Sequence, residues 1–219
     1  MHKSVQNLIN IENRIKSNLS DLNIKNLPNI IAVSKTFKLD KILPLIEHGH
    51  LDFGENKIQE AVDKWSEIKN KRPKLKLHMI GKLQTNKVRL AVRLFDFIHS
   101  VDNEKLAKKI ADEQFKIKKK IKIFIQVNIG NETQKSGINQ SYTEDLILFC
   151  KELGLDVIGL MCIPPIDIDP DNYFKEMNEI NKSFNFNELS MGMSSDYIKA
   201  ARNNSSYLRI GSSIFGQRF

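Results

Sequence analysis

Apolar positions along the chain show two alternating textures. Val5, Leu8, Ile9, Ile15, Leu19 and Leu22 recur three and four residues apart, which predicts an opening amphipathic helix over about residues 3–22. After Pro28 the pattern changes to short apolar runs at 30–33, 51–54, 77–81, 97–101, 121–127, 157–161, 188–193 and 207–211. Helical spacing fills the intervals at about 39–47, 57–68, 85–94, 103–115, 142–153, 171–184 and 196–203. Eight apolar strands alternating with helices, joined by short connections and no Ser/Gly-rich linker, predict parallel β covered by helices. The expected fold is α/β, a single small (β/α)8 barrel over residues 1–219, with the opening helix packed on it. An open doubly wound sheet is the rival. The G-x-G-x-x-G fingerprint that would favour that rival is absent after the first strand.

In such a barrel the chemistry gathers at the C-terminal ends of the strands. Strand one runs into Val33-Ser34-Lys35-Thr36, and alternation places Lys35 on the side of Ile31 and Val33. If those two fill the interior, the amine enters the barrel mouth, where a desolvated lysine can attack a carbonyl. A surface lysine just past a strand end is the alternative. After strand seven, Gly192 would let the backbone approach a ligand, and Ser194-Ser195-Asp196 reads as a helix N-cap. Gly211-Ser212-Ser213 repeats the device after strand eight. Two such turns make a phosphate site, or they are capping and nothing more. Arg209 lies inside strand eight on the face of Gly211 and must meet a partner there. That partner is a ligand's ring nitrogen or a core carboxylate such as Asp52 or Glu55. A lysine facing a phosphate cradle across a barrel fits pyridoxal phosphate, which requires both.

Composition narrows the function classes. At 219 residues, 41% hydrophobic and 27% charged, the chain suits a globular protein able to bury its own core. The net charge of +8 invites a nucleic-acid reading. However, 27 of the 34 cations are lysine, and the densest run, Lys116 to Lys122, leaves a helix and enters a strand. Helix C-terminal electrostatics explain that run without a partner, and no aromatic interleaving accompanies it, so no nucleic acid is expected. Cys150 and Cys162 form neither a C-x-x-C pair nor a disulfide framework and read as buried thiols in a reducing compartment. No signal-peptide core or membrane-length apolar stretch is present, so a cytoplasmic protein without membrane contact is expected. His78 and His99 read as satisfied core residues. No His/Cys spacing suggests a metal, no G-x-S-x-G elbow is present, and the 81–86 loop reads equally as anion site or helix cap.

Several segments together resemble one family. They are Ala32-Val33-Ser34-Lys35-Thr36, Phe53-Gly54-Glu55-Asn56, His78 to Lys87, Lys135-Ser136-Gly137, Gly159-Leu160-Met161, Leu189 to Ser194 and Arg209 to Gly216. In this order they resemble the YggS/PROSC family of pyridoxal-phosphate homeostasis proteins, from about residue 30 to the C-terminus. The resemblance implies a barrel like the alanine racemase N-terminal domain, a fold type III pyridoxal-phosphate protein. It also implies that Lys35 is the Schiff-base lysine, that Ser194, Gly211 and Ser212 contact phosphate, and that Arg209 faces the pyridine nitrogen. Asn56 and Met193 would line the pocket.

The implied role is a monomeric cofactor carrier in vitamin B6 homeostasis rather than an enzyme. Apo forms of pyridoxal-phosphate enzymes would be its recipients, with an amino-acid racemase or decarboxylase as the alternative. Racemisation in the enzymes it resembles draws on an additional C-terminal domain, which a chain stopping at Phe219 would not carry. Two departures from the family pattern stand out: Phe37-Lys38 replaces a polar or basic residue followed by proline, and 202–206 lacks the glycine usual before strand eight.

Overall fold

The computed structural model describes residues 1–22 and 27–217. Strands β1 (Asn29–Val33), β2 (Asp52–Glu55), β3 (Lys76–Met79), β4 (Phe97–Val101), β5 (Lys122–Val127), β6 (Asp156–Cys162), β7 (Glu188–Ser190) and β8 (Tyr207–Ile210) pair in parallel, each with the next. β8 returns to β1 with Ile31 beside Arg209, which closes the barrel. The open-sheet rival is excluded by that seam. Closure leaves no unpaired strand edge, and it suits strands such as Ile123–Val127 that are buried on both faces.

The described α-helices are α1 (Lys3–Leu19), α2 (Leu39–Glu47), α3 (Ile58–Lys71), α4 (Val88–Leu94), α5 (Glu104–Ile117), α6 (Thr143–Glu152), α7 (Asp171–Ser183), α8 (Tyr197–Arg202) and α9 (Ser212–Phe215). Their apolar faces and the outward strand residues form one continuous core. A second, smaller cluster fills the barrel itself: Ile31, Phe97, Phe124, Met161 and Tyr207. Two histidines are stacked into it. His78 lies 4.2 Å from the Phe97 ring and His99 4.3 Å from the Phe124 ring, both nearly parallel. α1 packs on α2, α8 and α9, and Asn7 Nδ2 donates to the Ile214 carbonyl at 2.9 Å. Among the described residues no helix is long and apolar enough to cross a membrane.

Boundaries differ from the sequence expectation where a turn intervenes. α1 ends at Leu19, and Leu22 is 41% exposed. The helical pattern over 85–94 divides into a 3₁₀ turn, Thr85–Lys87, and α4. The apolar run 188–193 pairs only as far as Ser190, because Gly192 turns the chain with φ +90°. The Lys116–Lys122 run has local partners. Lys118 closes α5 in a left-handed conformation, Lys116 pairs with Glu113 at 2.9 Å, and Lys119 donates to the Phe95 carbonyl at 2.7 Å. Cys150 and Cys162 are free and buried, and burial pushes both thiols up to about 12.

Gly81 is packed rather than merely flexible. A Cβ there would lie 2.4 Å from the Asn56 carbonyl oxygen and 2.8 Å from its Cα, so the loop after β3 rests on the backbone after β2. Gly81→Ala must push that backbone aside, and Asn56 with it. A loss of about 1–3 kcal/mol is expected. For a chain of this size that lowers the melting temperature by about 2–4 °C per kcal/mol. An unchanged melting curve would show that the two loops separate freely.

Candidate functional site

The end of β1 is held by a buried polar cluster from β2 and α3. Glu55 Oε1 accepts from Ser34 Oγ at 2.7 Å, Lys64 Nζ at 2.9 Å and the Trp65 indole N–H at 2.9 Å. Lys64 also donates to the Ser34 carbonyl and to Glu60 Oε1, both at 2.9 Å. Glu60 in turn accepts from the Thr36 backbone N–H. Thr36 sits at φ +69°, a left-handed conformation that costs a β-branched residue about 1–3 kcal/mol. The clamp on Ser34 and Thr36 therefore forces the backbone on either side of Lys35. Alternation behaves as expected: Ile31 is in the barrel interior, and Val33 and Lys35 line the mouth above it.

Arg209, on the neighbouring strand β8, lines the same mouth and is 5% exposed. Neither Asp52 nor Glu55 is its partner, contrary to the carboxylate alternative. Its Nη1 donates to Ser190 Oγ at 2.6 Å and its Nη2 to the Cys162 carbonyl at 2.8 Å. Both acceptors are neutral, so two of five guanidinium donors are satisfied without charge compensation. Burial lowers its pKa from the ordinary arginine value, yet arginine remains a cation at neutral pH.

The turns after β7 and β8 are tied together. Ser194 does not cap α8. Asp196 holds the N-cap position, and its carboxylate accepts from the Met193 N–H. The Ser194 hydroxyl instead accepts from the backbone N–H groups of Gly211 at 3.3 Å and Ser213 at 3.2 Å. Gly192 is required for packing. A Cβ there would meet Ala200 Cβ at 2.5 Å, so its bareness serves packing against α8. Gly211 abuts β1, where a Cβ would lie 3.4 Å from both Val33 Cβ and the Val33 carbonyl oxygen. Among the described residues, neither the Ser212 N–H and hydroxyl nor the Asn56 side-chain amide makes a hydrogen bond.

These parts converge on one cavity of about 460 Å³, a size ordinary for a small-molecule site. Lys35, Asn56, Met193, Ser194, Arg209, Gly211 and Ser212 all line it, and Ile80 and Ile163 supply apolar wall. Met193 stands at the rim, 37% exposed. Among the described residues no group of His, Cys, Asp and Glu could hold a metal ion.

Over residues 11–218 the chain matches the family model described as alanine racemase, N-terminal domain. It is 34% identical over 208 residues to the pyridoxal phosphate homeostasis protein of Haemophilus influenzae, covering 89% of this chain and 86% of that one. The chain belongs to this family. PipY of Synechococcus elongatus, solved with pyridoxal phosphate bound, superposes with a TM-score of 0.81 at 30% identity, over 92% of this chain and all of that one. The alanine racemase of Clostridium difficile shares the fold at a TM-score of 0.75 and 14% identity, with 99% of this chain covering 57% of the racemase.

Both departures from the family pattern have local explanations. Phe37 stacks on Phe215 of α9 at 5.0 Å, which joins the rim after β1 to the turn after β8. In the 202–206 segment Asn204 takes φ +64°, a conformation asparagine tolerates better than other side-chain-bearing residues. Sequence reasoning missed Glu60, Lys64 and Trp65. The i,i+4 pair Glu60–Lys64 on the helix after β2 was a readable signal, but not what it grips. Lys64→Met would leave Glu55 buried without its cation. A loss of about 3–5 kcal/mol in denaturant unfolding is expected. A loss under about 1 kcal/mol would place the pair in the class of solvated surface bridges.

Proposed function

We propose that this chain binds pyridoxal 5′-phosphate in the cavity at the β1–β8 seam, covalently through Lys35, and acts in intracellular vitamin B6 homeostasis as a carrier. The observation that carries this reading is the convergence of seven residues, spread from 35 to 212, on one cavity. The name of the Haemophilus relative and the ligand of the Synechococcus structure agree with it.

The donor set fits the group. Lys35 supplies the amine that an aldehyde requires. Arg209 supplies an interior cation with donors to spare for a ring nitrogen. Ser212 supplies an N–H and hydroxyl, unpartnered among the described residues, for phosphate, with Gly211 and Ser194 beside it. Asn56 offers an amide unpartnered among the described residues, and Met193 covers the outer edge. Bound pyridoxal phosphate supplies a reactive aldehyde on an electron-withdrawing ring. Arg209 would orient that ring by donating a hydrogen bond while keeping its own proton. A ring whose nitrogen is not protonated withdraws electrons less strongly, so these residues suit holding a cofactor better than processing an amino acid. The exposed rim at Met193 leaves the cavity open to a recipient. Apo forms of pyridoxal-phosphate enzymes are the recipients this reading implies, and a single-domain cytoplasmic monomer is the expected form.

Purified protein loaded with pyridoxal phosphate should be yellow, and borohydride should fix the cofactor on Lys35 in peptide mapping. A Lys35→Ala protein retaining a reducible adduct at full occupancy would move the attachment elsewhere. Loaded protein incubated with L- and D-amino acids should show neither racemisation nor carbon dioxide release. Turnover of about one per second, well inside the enzyme range, would replace the carrier with an enzyme.

A further inference from the structure

A row of buried polar groups crosses the barrel from its base to the cavity. At the start of β2, Asp52 Oδ1 lies 3.0 Å from His78 Nε2. His78 Nδ1 lies 3.0 Å from His99 Nε2, and His99 Nδ1 2.9 Å from Ser190 Oγ. Ser190 Oγ accepts from Arg209 Nη1 at 2.6 Å. Both imidazoles are completely buried between aromatic rings.

The two ends of this row dictate its direction. A guanidinium only donates, and a carboxylate only accepts. His78 must then carry its proton on Nε2 and donate to Asp52, leaving Nδ1 to accept. His99 must carry its proton on Nε2 as well, donate to His78, and accept on Nδ1 from the Ser190 hydroxyl. The Ser190 lone pair that remains accepts from Arg209. Every donor then has one acceptor, with both rings neutral.

The reverse direction fails on hydrogen-bond grounds. It would take the donor away from Asp52 and aim both His99 and Arg209 at Ser190. The Ser190 hydrogen would then have no acceptor among the described residues. Charge agrees with the geometry. Burial pulls both histidines below the ordinary imidazole value, and Arg209 and His78 push His99 further in the same direction.

We propose that Asp52, His78, His99 and Ser190 are positioning residues, a one-way hydrogen-bond chain that aims Arg209 into the cofactor cavity from a carboxylate at the base of the barrel. The proposal rests on the cofactor reading above. It adds that the grip on the ring nitrogen is set by groups that never touch the cofactor. Asp52→Ala removes the terminal acceptor, which frees the chain to reverse. Ser190→Ala removes one of the two acceptors that fix Arg209 and leaves the Cys162 carbonyl.

The test has two readouts. Protein with ¹⁵N-labelled histidine, free of cofactor at pH 7, should show His78 and His99 as Nε2–H tautomers, and Asp52→Ala should shift both towards Nδ1–H. Loaded with pyridoxal phosphate, Ser190→Ala should bind roughly tenfold more weakly, about 1.4 kcal/mol, with a shifted absorbance maximum. Ser190→Thr, which keeps the hydroxyl, should restore both. An Nδ1–H tautomer or an imidazolium at either ring of the wild-type protein would overturn the chain. So would a folded Ser190→Ala protein with unchanged affinity and spectrum. A wild-type protein that never bound pyridoxal phosphate would instead overturn the carrier reading, while the tautomers would still report on the chain.

Discussion

Arg209 places a permanent positive charge inside a barrel lined by aromatic rings, and the two groups that accept its hydrogen bonds are neutral. Such a charge is tolerable only where dipoles are already aimed at it. Here those dipoles come from the last residues of two neighbouring strands, the Ser190 hydroxyl on β7 and the Cys162 carbonyl on β6. Holding the guanidinium therefore fixes β6, β7 and β8 relative to one another at the end of the barrel where the cavity opens. The core carboxylates Asp52 and Glu55 are engaged elsewhere. Asp52 ends a histidine row at the base of the barrel, and Glu55 gathers Ser34, Lys64 and Trp65.

The second polar system acts on β1. Lys64 bridges two glutamates and a backbone carbonyl, and the resulting clamp keeps Thr36 in a conformation it would not adopt alone. The two systems meet at the seam where the last strand pairs with the first, with Ile31 beside Arg209. Lys35 and Arg209 share a cavity only because the barrel closes there. Closure and site are thus the same structural event. The seam is braced from outside as well, since α1 reaches α9 through Asn7 and the Ile214 carbonyl, and Phe37 stacks on Phe215.

The likeness to alanine racemase is one of fold, and the chain spans little more than half of that enzyme's length. In this chain the barrel mouth holds an amine, a cation and two small-residue turns around one cavity of about 460 Å³. Arg209 keeps its proton, and its buried guanidinium lines the cavity.

Alternation of short apolar runs with helical spacing determined the barrel at the level of sequence, because parallel strands buried on both faces leave that texture and few closed arrangements satisfy eight of them. Position relative to strand ends likewise determined that Lys35, Ser194, Arg209 and Ser212 would lie at one mouth. Tertiary structure alone decided how these groups are supported. The partners of Arg209 come from residues 162 and 190, and the clamp on Ser34 and Thr36, which flank Lys35, from residues 55, 60 and 64. Ser194 turned from its own helix towards Gly211 and Ser213 because the β8 turn packs against it. Hydrogen bonds between side chains distant in sequence leave no periodicity to read. Which buried acceptor meets which buried donor is settled only when the strands close and their registers are set.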